Sequence, residues 1–171
     1  MSEKKSPQTA AEWFDRGREC FHMPDGVGTV RAMERVIELD PGYRHPDGDN
    51  PHFYLGKIHE MESRIDIAIM HYCRALAVDS NDEESLIGRG SCYTVTRQHD
   101  LAISDFEKLL KIPDRLRKVP RKHLLYAIAE NYRQSGEWEQ AAFWGKKALD
   151  ADPDNLRHQQ LMQEVRARLD P

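Results

Sequence analysis

Four series of residues recur along this chain at one shared set of separations, and that period decides what it can fold into. Gly17, Gly56, Gly90 and Ala129 are separated by 39, 34 and 39 positions. The same three separations relate Thr29, Ala68, Ala102 and Ala141, then Ile37, Leu76, Leu110 and Leu149, then Pro41, Ser80, Asp114 and Pro153. A fixed period of this size signals stacked supersecondary units that bury a core only against their neighbours. A 34-residue unit with two five-residue insertions accounts for both numbers. The insertions fall near Arg44 to Gly48 and Arg117 to Arg121, each with a proline, Pro46 and Pro120. The units are then residues 10–43, 49–82, 83–116 and 122–155, after a flexible N-terminal segment, 1–9.

Each unit reads as two helices. In the second, Phe53, Gly56, His59 and Glu60 recur at helical spacing, followed past a turn by Ile65, Ala68, Ile69, Tyr72 and Leu76. Asn50 before Pro51 fits an N-cap with proline in the first turn. Ser80 with Glu83 has capping-box spacing. Asp25-Gly26 and Ser135-Gly136 mark turns inside their units. The small residues, one per helix and twelve apart, are expected to let the two backbones approach. Beyond Pro153, the stripe Leu161, Met162, Val165 and Leu169 predicts a final helix over 155–170 that covers the last unit's stacking surface. The fold class is all-α, an α-solenoid of about four helix–turn–helix repeats plus a capping helix.

This pattern resembles the tetratricopeptide repeat family, whose 34-residue unit carries Leu-Gly, then Tyr, later Ala, Phe and Ala, and finally Pro. The matches are Leu55-Gly56 with Ala68, Tyr72 and Ala75; Tyr93 with Ala102 and Phe106; Tyr132 with Ala141, Ala148 and Pro153; and Trp13, Gly17 and Pro41. The resemblance covers about residues 10 to 155. Arg16 and Arg89 depart from it where the family has Leu, Thr29 where it has a small Ala, and Gly145 where it has an aromatic.

Charge and composition exclude several classes of function. A net charge of −4 and a pI near 6.1 give no general attraction to nucleic acid. Met1 to Gln8 contains no apolar run of a signal peptide, and no stretch has the ~20 apolar residues that span a bilayer. Cys20, Cys73 and Cys92 are odd in number and lack C-x-x-C spacing, which fits a reducing compartment and a cytoplasmic location.

Chemistry finds little support. His52 and His59 lie seven apart, or about 10 Å along a helix, too far for one metal ion. His59 falls at a core-facing position. Asp47-Gly48-Asp49 begins like a calcium loop, but Pro51 and Ile58 occupy ligand positions. There is no phosphate-binding Gly loop and no G-x-S-x-G elbow. The expectation is therefore no enzyme, no cofactor and no metal. The run from Lys108 to His123 is locally basic, and Arg115, Arg117, Lys118, Arg121 and Lys122 could meet an anionic surface. The plainer reading is a solvated linker.

The most informative constellation lies on the first helix of each unit. Carrying Phe14 forward by the repeat offsets gives Phe53, Ile87 and Tyr126, all apolar or aromatic. The neighbouring row is Arg18, Lys57, Ser91 and Glu130. The family resemblance implies that first helices line a concave groove, so these rows are candidate contacts for a protein or peptide partner. The same residues could instead brace adjacent helices. The family's Lys, Asn and Arg carboxylate clamp is missing, since its places hold residues such as Phe53, Gly88 and Ala127. Two readings follow: a non-enzymatic adaptor that binds a partner segment, or an assembly unit that self-associates into homo-oligomers.

Overall fold

The computed structural model describes residues 7–169. Residues 1–6 of the segment expected to be flexible, and the last residue of the expected capping helix, lie outside them. Among the described residues there are nine helices and no strand. These are α1 (Ala10–His22), α2 (Gly26–Leu39), α3 (Pro51–Met61), α4 (Ile65–Val78), α5 (Glu83–Val95), α6 (His99–Leu110), α7 (Arg121–Ser135), α8 (Trp138–Ala151) and α9 (Leu156–Leu169). They form two compact units, Met1–Gly88 and Arg89–Pro171, with the division falling inside α5.

Helix starts follow local chemistry. Thr9 and Glu12 form a reciprocal capping box at α1: the Glu12 amide donates to Thr9 Oγ1 at 3.2 Å, and the Thr9 amide to Glu12 Oε2 at 2.9 Å. Asp25 caps α2 through the Gly28 amide, and Asn50 caps α3 through the Phe53 amide, with Pro51 opening the helix. The Ser80 expectation is corrected. Helix α5 starts at Glu83, so Asp82 precedes its first residue, and the Leu86 amide donates to the Asp82 carbonyl at 3.0 Å.

The repeated glycines make room for a large side chain of the paired helix. A Cβ on Gly56 would lie 2.8 Å from the Tyr72 ring, one on Gly90 2.8 Å from the Phe106 ring, and one on Gly17 2.6 Å from the Met33 methyl. In each case the glycine seats the large side chain sixteen positions on, rather than the small residue twelve on. Tyr72 is fully buried, and its ring also abuts Gly88. Its hydroxyl donates to Glu60 Oε2 at 2.6 Å, which satisfies the one polar atom the ring carries inward. In the fourth repeat the positions are exchanged. Ala129 stands at the first place and Gly145 at the second, and Gly145 receives Met162 and Leu161 of α9. That contact builds the cluster of Ala129, Ala141, Leu161, Met162 and Val165 under the terminal helix.

The turns inside the repeats share one stop. Ser63, Arg97 and Gly136 have φ of 60°, 59° and 84°. Each is followed by an amide that reaches back five residues: Arg64 to the His59 carbonyl, Gln98 to Tyr93, and Glu137 to Tyr132. This is a Schellman stop, which favours glycine at the left-handed residue. The matching position in the first repeat is Pro24, whose ring forbids positive φ. There α1 ends on an extended Met23 (φ −96°, ψ 158°), and Asp25 restarts the chain.

Two expected outcomes follow. Ser63→Gly and Arg97→Gly each remove a left-handed non-glycine residue from an exposed turn and should stabilise the chain by about 0.5–1 kcal/mol. Gly56→Val drives a side chain into the Tyr72 ring and should cost roughly 1–3 kcal/mol. Urea midpoints at constant m-value measure all three.

Candidate functional site

In the first unit, the row proposed from the sequence is partly closed by the chain itself. Phe14 is fully buried in a cluster with Met33, Val36, Tyr54 and Leu55. The stretch between α2 and α3, which carries the first insertion, folds onto it. The Tyr43 ring lies 5.2 Å from Phe14, and the His45 ring stacks on Phe14 at 5.3 Å. Asp47 accepts from Arg18 at 3.3 Å, and Asp49 accepts from the Tyr54 hydroxyl at 2.8 Å. Burial and the bond to Asp49 push the Tyr54 phenol well above its usual range. Phe14 therefore corrects the groove expectation: with no exposed surface, it belongs to the core. Phe53 and Ile87 remain half-buried. Lys57, also half-buried, donates to Glu60 at 3.1 Å. That carboxylate also accepts from Tyr72, so the ammonium is oriented by a group anchored in the core.

In the second unit, Ser91, Tyr126 and Glu130 are half-buried. Glu130 is clamped by the edge of one guanidinium: Arg133 Nε and Nη2 donate at 2.8 and 2.6 Å, and Gln134 adds a third bond at 2.7 Å. Burial alone would raise the Glu130 carboxyl, but these donors outweigh it and hold the group below its usual value. Tyr126 stacks on His158 of α9, with centroids 5.1 Å apart and an interplanar angle of 23°. Around this pair a concavity of about 550 Å³ is lined by His123, Tyr126, Asn155, Leu156, Arg157 and His158. None of these lining residues is acidic. Sequence reading reached Tyr126 but missed the rest, because α9 was assigned only a capping role.

The basic segment divides into separate roles. The Arg117 side chain is 1% exposed. Its guanidinium donates to the carbonyls of Val119 at 2.8 Å and Ile112 at 2.9 Å, and to the Asp114 carboxylate. Arg117 is thus the internal staple of the α6–α7 connection and is corrected from the list of surface contacts. Arg121 and Lys122 are the first residues of α7, and Lys122 pairs with Asp152 at 3.0 Å.

The structure also brings together histidines that sequence spacing kept apart. His71 of α4 lies against both His52 and His59 of α3, all three being buried. Among the described residues, no group of three or more His, Cys, Asp or Glu side chains is arranged to hold a metal ion. No described helix is long and apolar enough to cross a membrane.

No family model and no curated protein matches the sequence. Solved structures do match. MamA (residues 41 to the end) from Desulfovibrio magneticus RS-1 superposes with a TM-score of 0.79 at 16% identity, over 97% of this chain and 88% of that one. A tetratricopeptide repeat protein from Parabacteroides merdae ATCC 43184 gives 0.77 at 19% identity, over 96% of this chain and 62% of that one. Pseudomonas aeruginosa PilF gives 0.71 at 16% identity, over 94% and 68%. The chain has the tetratricopeptide-repeat fold.

Within that fold, the departures from the family pattern have physical partners. Arg89 replaces the tetratricopeptide leucine and forms a fork with Asp105 of α6, at 2.8 and 2.7 Å. Asp105 is 5% exposed, so the fork reaches a carboxylate that is almost buried. Thr29, buried in place of alanine, donates its hydroxyl to the Asp25 carbonyl at 2.9 Å. Arg16 is exposed and pairs with Glu19 at 3.2 Å.

Replacing one member of a buried pair leaves the other charge uncompensated. Arg89→Leu should therefore cost about 2–4 kcal/mol, while Arg89→Leu with Asp105→Ala should recover most of that loss. A double-mutant cycle by urea denaturation reads the difference.

Proposed function

We propose that this chain is a non-enzymatic protein-interaction scaffold that holds a segment of a partner protein along the first helices of its repeats. The observation that carries the reading is the concavity at Tyr126. There a half-exposed aromatic ring, fixed by its stack on His158, stands beside Leu156, Arg157 and His123. A rigid aromatic anchor with polar neighbours is the usual composition of an interface hot spot. Phe53 and Lys57 would offer a second contact in the first unit, with Lys57 held by Glu60. The odd number and the spacing of Cys20, Cys73 and Cys92 suit a reducing, cytoplasmic setting. Protein partners are what the fold suggests.

Self-association is the second reading, and one feature favours it. Phe143 on α8 is 53% exposed next to Trp144, and the Lys147 ammonium lies 4.0 and 4.5 Å from the two ring centres. Such a patch suits burial against another copy.

The test combines affinity capture from the source cell with sedimentation. Tyr126→Ala should weaken capture of the native partner about tenfold, equivalent to roughly 1.4 kcal/mol, at a temperature where circular dichroism shows the variant still folded. Undiminished capture would remove the groove reading. A concentration-dependent dimer abolished by Phe143→Ser would replace it with self-association.

A further inference from the structure

Three imidazoles form a continuous column inside the second repeat. His52 Nδ1 and His71 Nδ1 are 3.2 Å apart, and the His59 ring stacks on the other side of His71 at 5.3 Å with an angle of 21°. His52 is 7% exposed, and His59 and His71 are each 9% exposed. Two Nδ1 atoms at this distance hydrogen-bond only when one carries a hydrogen and the other a lone pair. The bond tolerates one added proton, on the donor ring's Nε2. A second proton must take the acceptor nitrogen, which leaves two N–H groups opposed and two cationic rings side by side. His59 extends the problem, because a third charge would stack directly on His71.

The charged groups facing the column do not compensate. Arg74 of α4 adds positive potential at both His52 and His71. Arg64, just ahead of α4, does the same at His59. The opposing carboxylates, Glu62 at the end of α3 and Glu34 from α2, act on His59 only. Glu62 already pairs with Arg64, and it stands 3.6 Å from a His59 Nδ1 that has no hydrogen-bond partner among the described residues.

We propose that this imidazole column makes the second repeat proton-responsive, packed at neutral pH and loosened between α3 and α4 as the medium acidifies. Its use in releasing a partner rests on the groove reading, because Phe53 and Lys57 sit on the helix that would loosen. The loosening itself does not. The sign follows from linkage. Burial, then Arg74, holds His52 at about 4, and burial with the neighbouring histidines and Arg74 holds His71 at about 4. An unfolded histidine titrates near 6.5, so the unfolded chain takes up protons first as pH falls. The stability present above pH 6.5 is lost progressively between 6.5 and 4. His52 and His71 each raise the unfolding constant by up to about tenfold per pH unit in that window.

The test compares urea unfolding of the wild-type chain and His71→Phe from pH 7.5 to 4.5. Phenylalanine keeps a ring at the centre of the column and removes its proton sites. Between pH 6.5 and 5.0 the unfolding constant of His71→Phe should rise at least about tenfold less than that of wild type. Parallel profiles would overturn the proposal. If His71→Phe does not fold, imidazole carbon and proton shifts of the wild-type protein decide the matter. His52 and His71 should stay neutral through pH 5.5 and titrate together with loss of α3–α4 amide protection. Midpoints near 6.5 with protection intact would refute it. Neither readout involves a partner, so the outcome stands apart from the fate of the groove reading.

Discussion

The structure depends on how closely two helices of a repeat can approach, and that distance is set by a missing side chain. At Gly17, Gly56 and Gly90 the absent Cβ leaves the slot that Met33, Tyr72 and Phe106 fill. Dense packing against a bare backbone maximises dispersion contacts and leaves no void for water. The remaining features follow from it. Tyr72 reaches deep enough to touch Gly88 on the next helix, and its hydroxyl requires Glu60. Glu60 in turn fixes Lys57. One glycine thus reaches, through the side chains of Tyr72 and Glu60, the orientation of the charged Lys57.

The chain's connections modify a regular design locally. The α2–α3 connection lays Tyr43 and His45 on Phe14, and the α6–α7 connection is folded around the buried Arg117 guanidinium. Both act as packed elements rather than slack linkers. Candidate contact surface is therefore concentrated where no connection covers the first helices: at Phe53 and Lys57 in one unit and at the Tyr126 concavity in the other.

Architecture was legible in the sequence because periodicity is a property of the chain alone. Shared offsets point to an all-helical repeat array, and the Asn50 cap follows from a side chain that reaches only a few residues, whereas Asp25 reads in the sequence only as part of a turn. The capping helix was equally visible from its apolar stripe. What escaped depends on which way helices and loops turn. His71 is nineteen positions from His52 and twelve from His59, and only the rotation of α4 against α3 brings the rings together. Phe14 matched Phe53 and Tyr126 by offset, yet its exposure was decided by a loop without periodicity. Arg117 read as one of several basic residues, since nothing local announces that a guanidinium will find two carbonyls.

The fork between Arg89 and Asp105 has a bearing on the chain's history. The tetratricopeptide pattern carries leucine at the Arg89 position, and a charged pair or a neutral pair is each self-consistent there. The path between them is costlier, because losing either charge alone removes a two-bond fork onto a carboxylate that is almost buried. A lineage that has acquired the pair cannot return to leucine by small independent steps. The two positions should therefore drift as a unit, and descendants of this chain should carry both charges or neither.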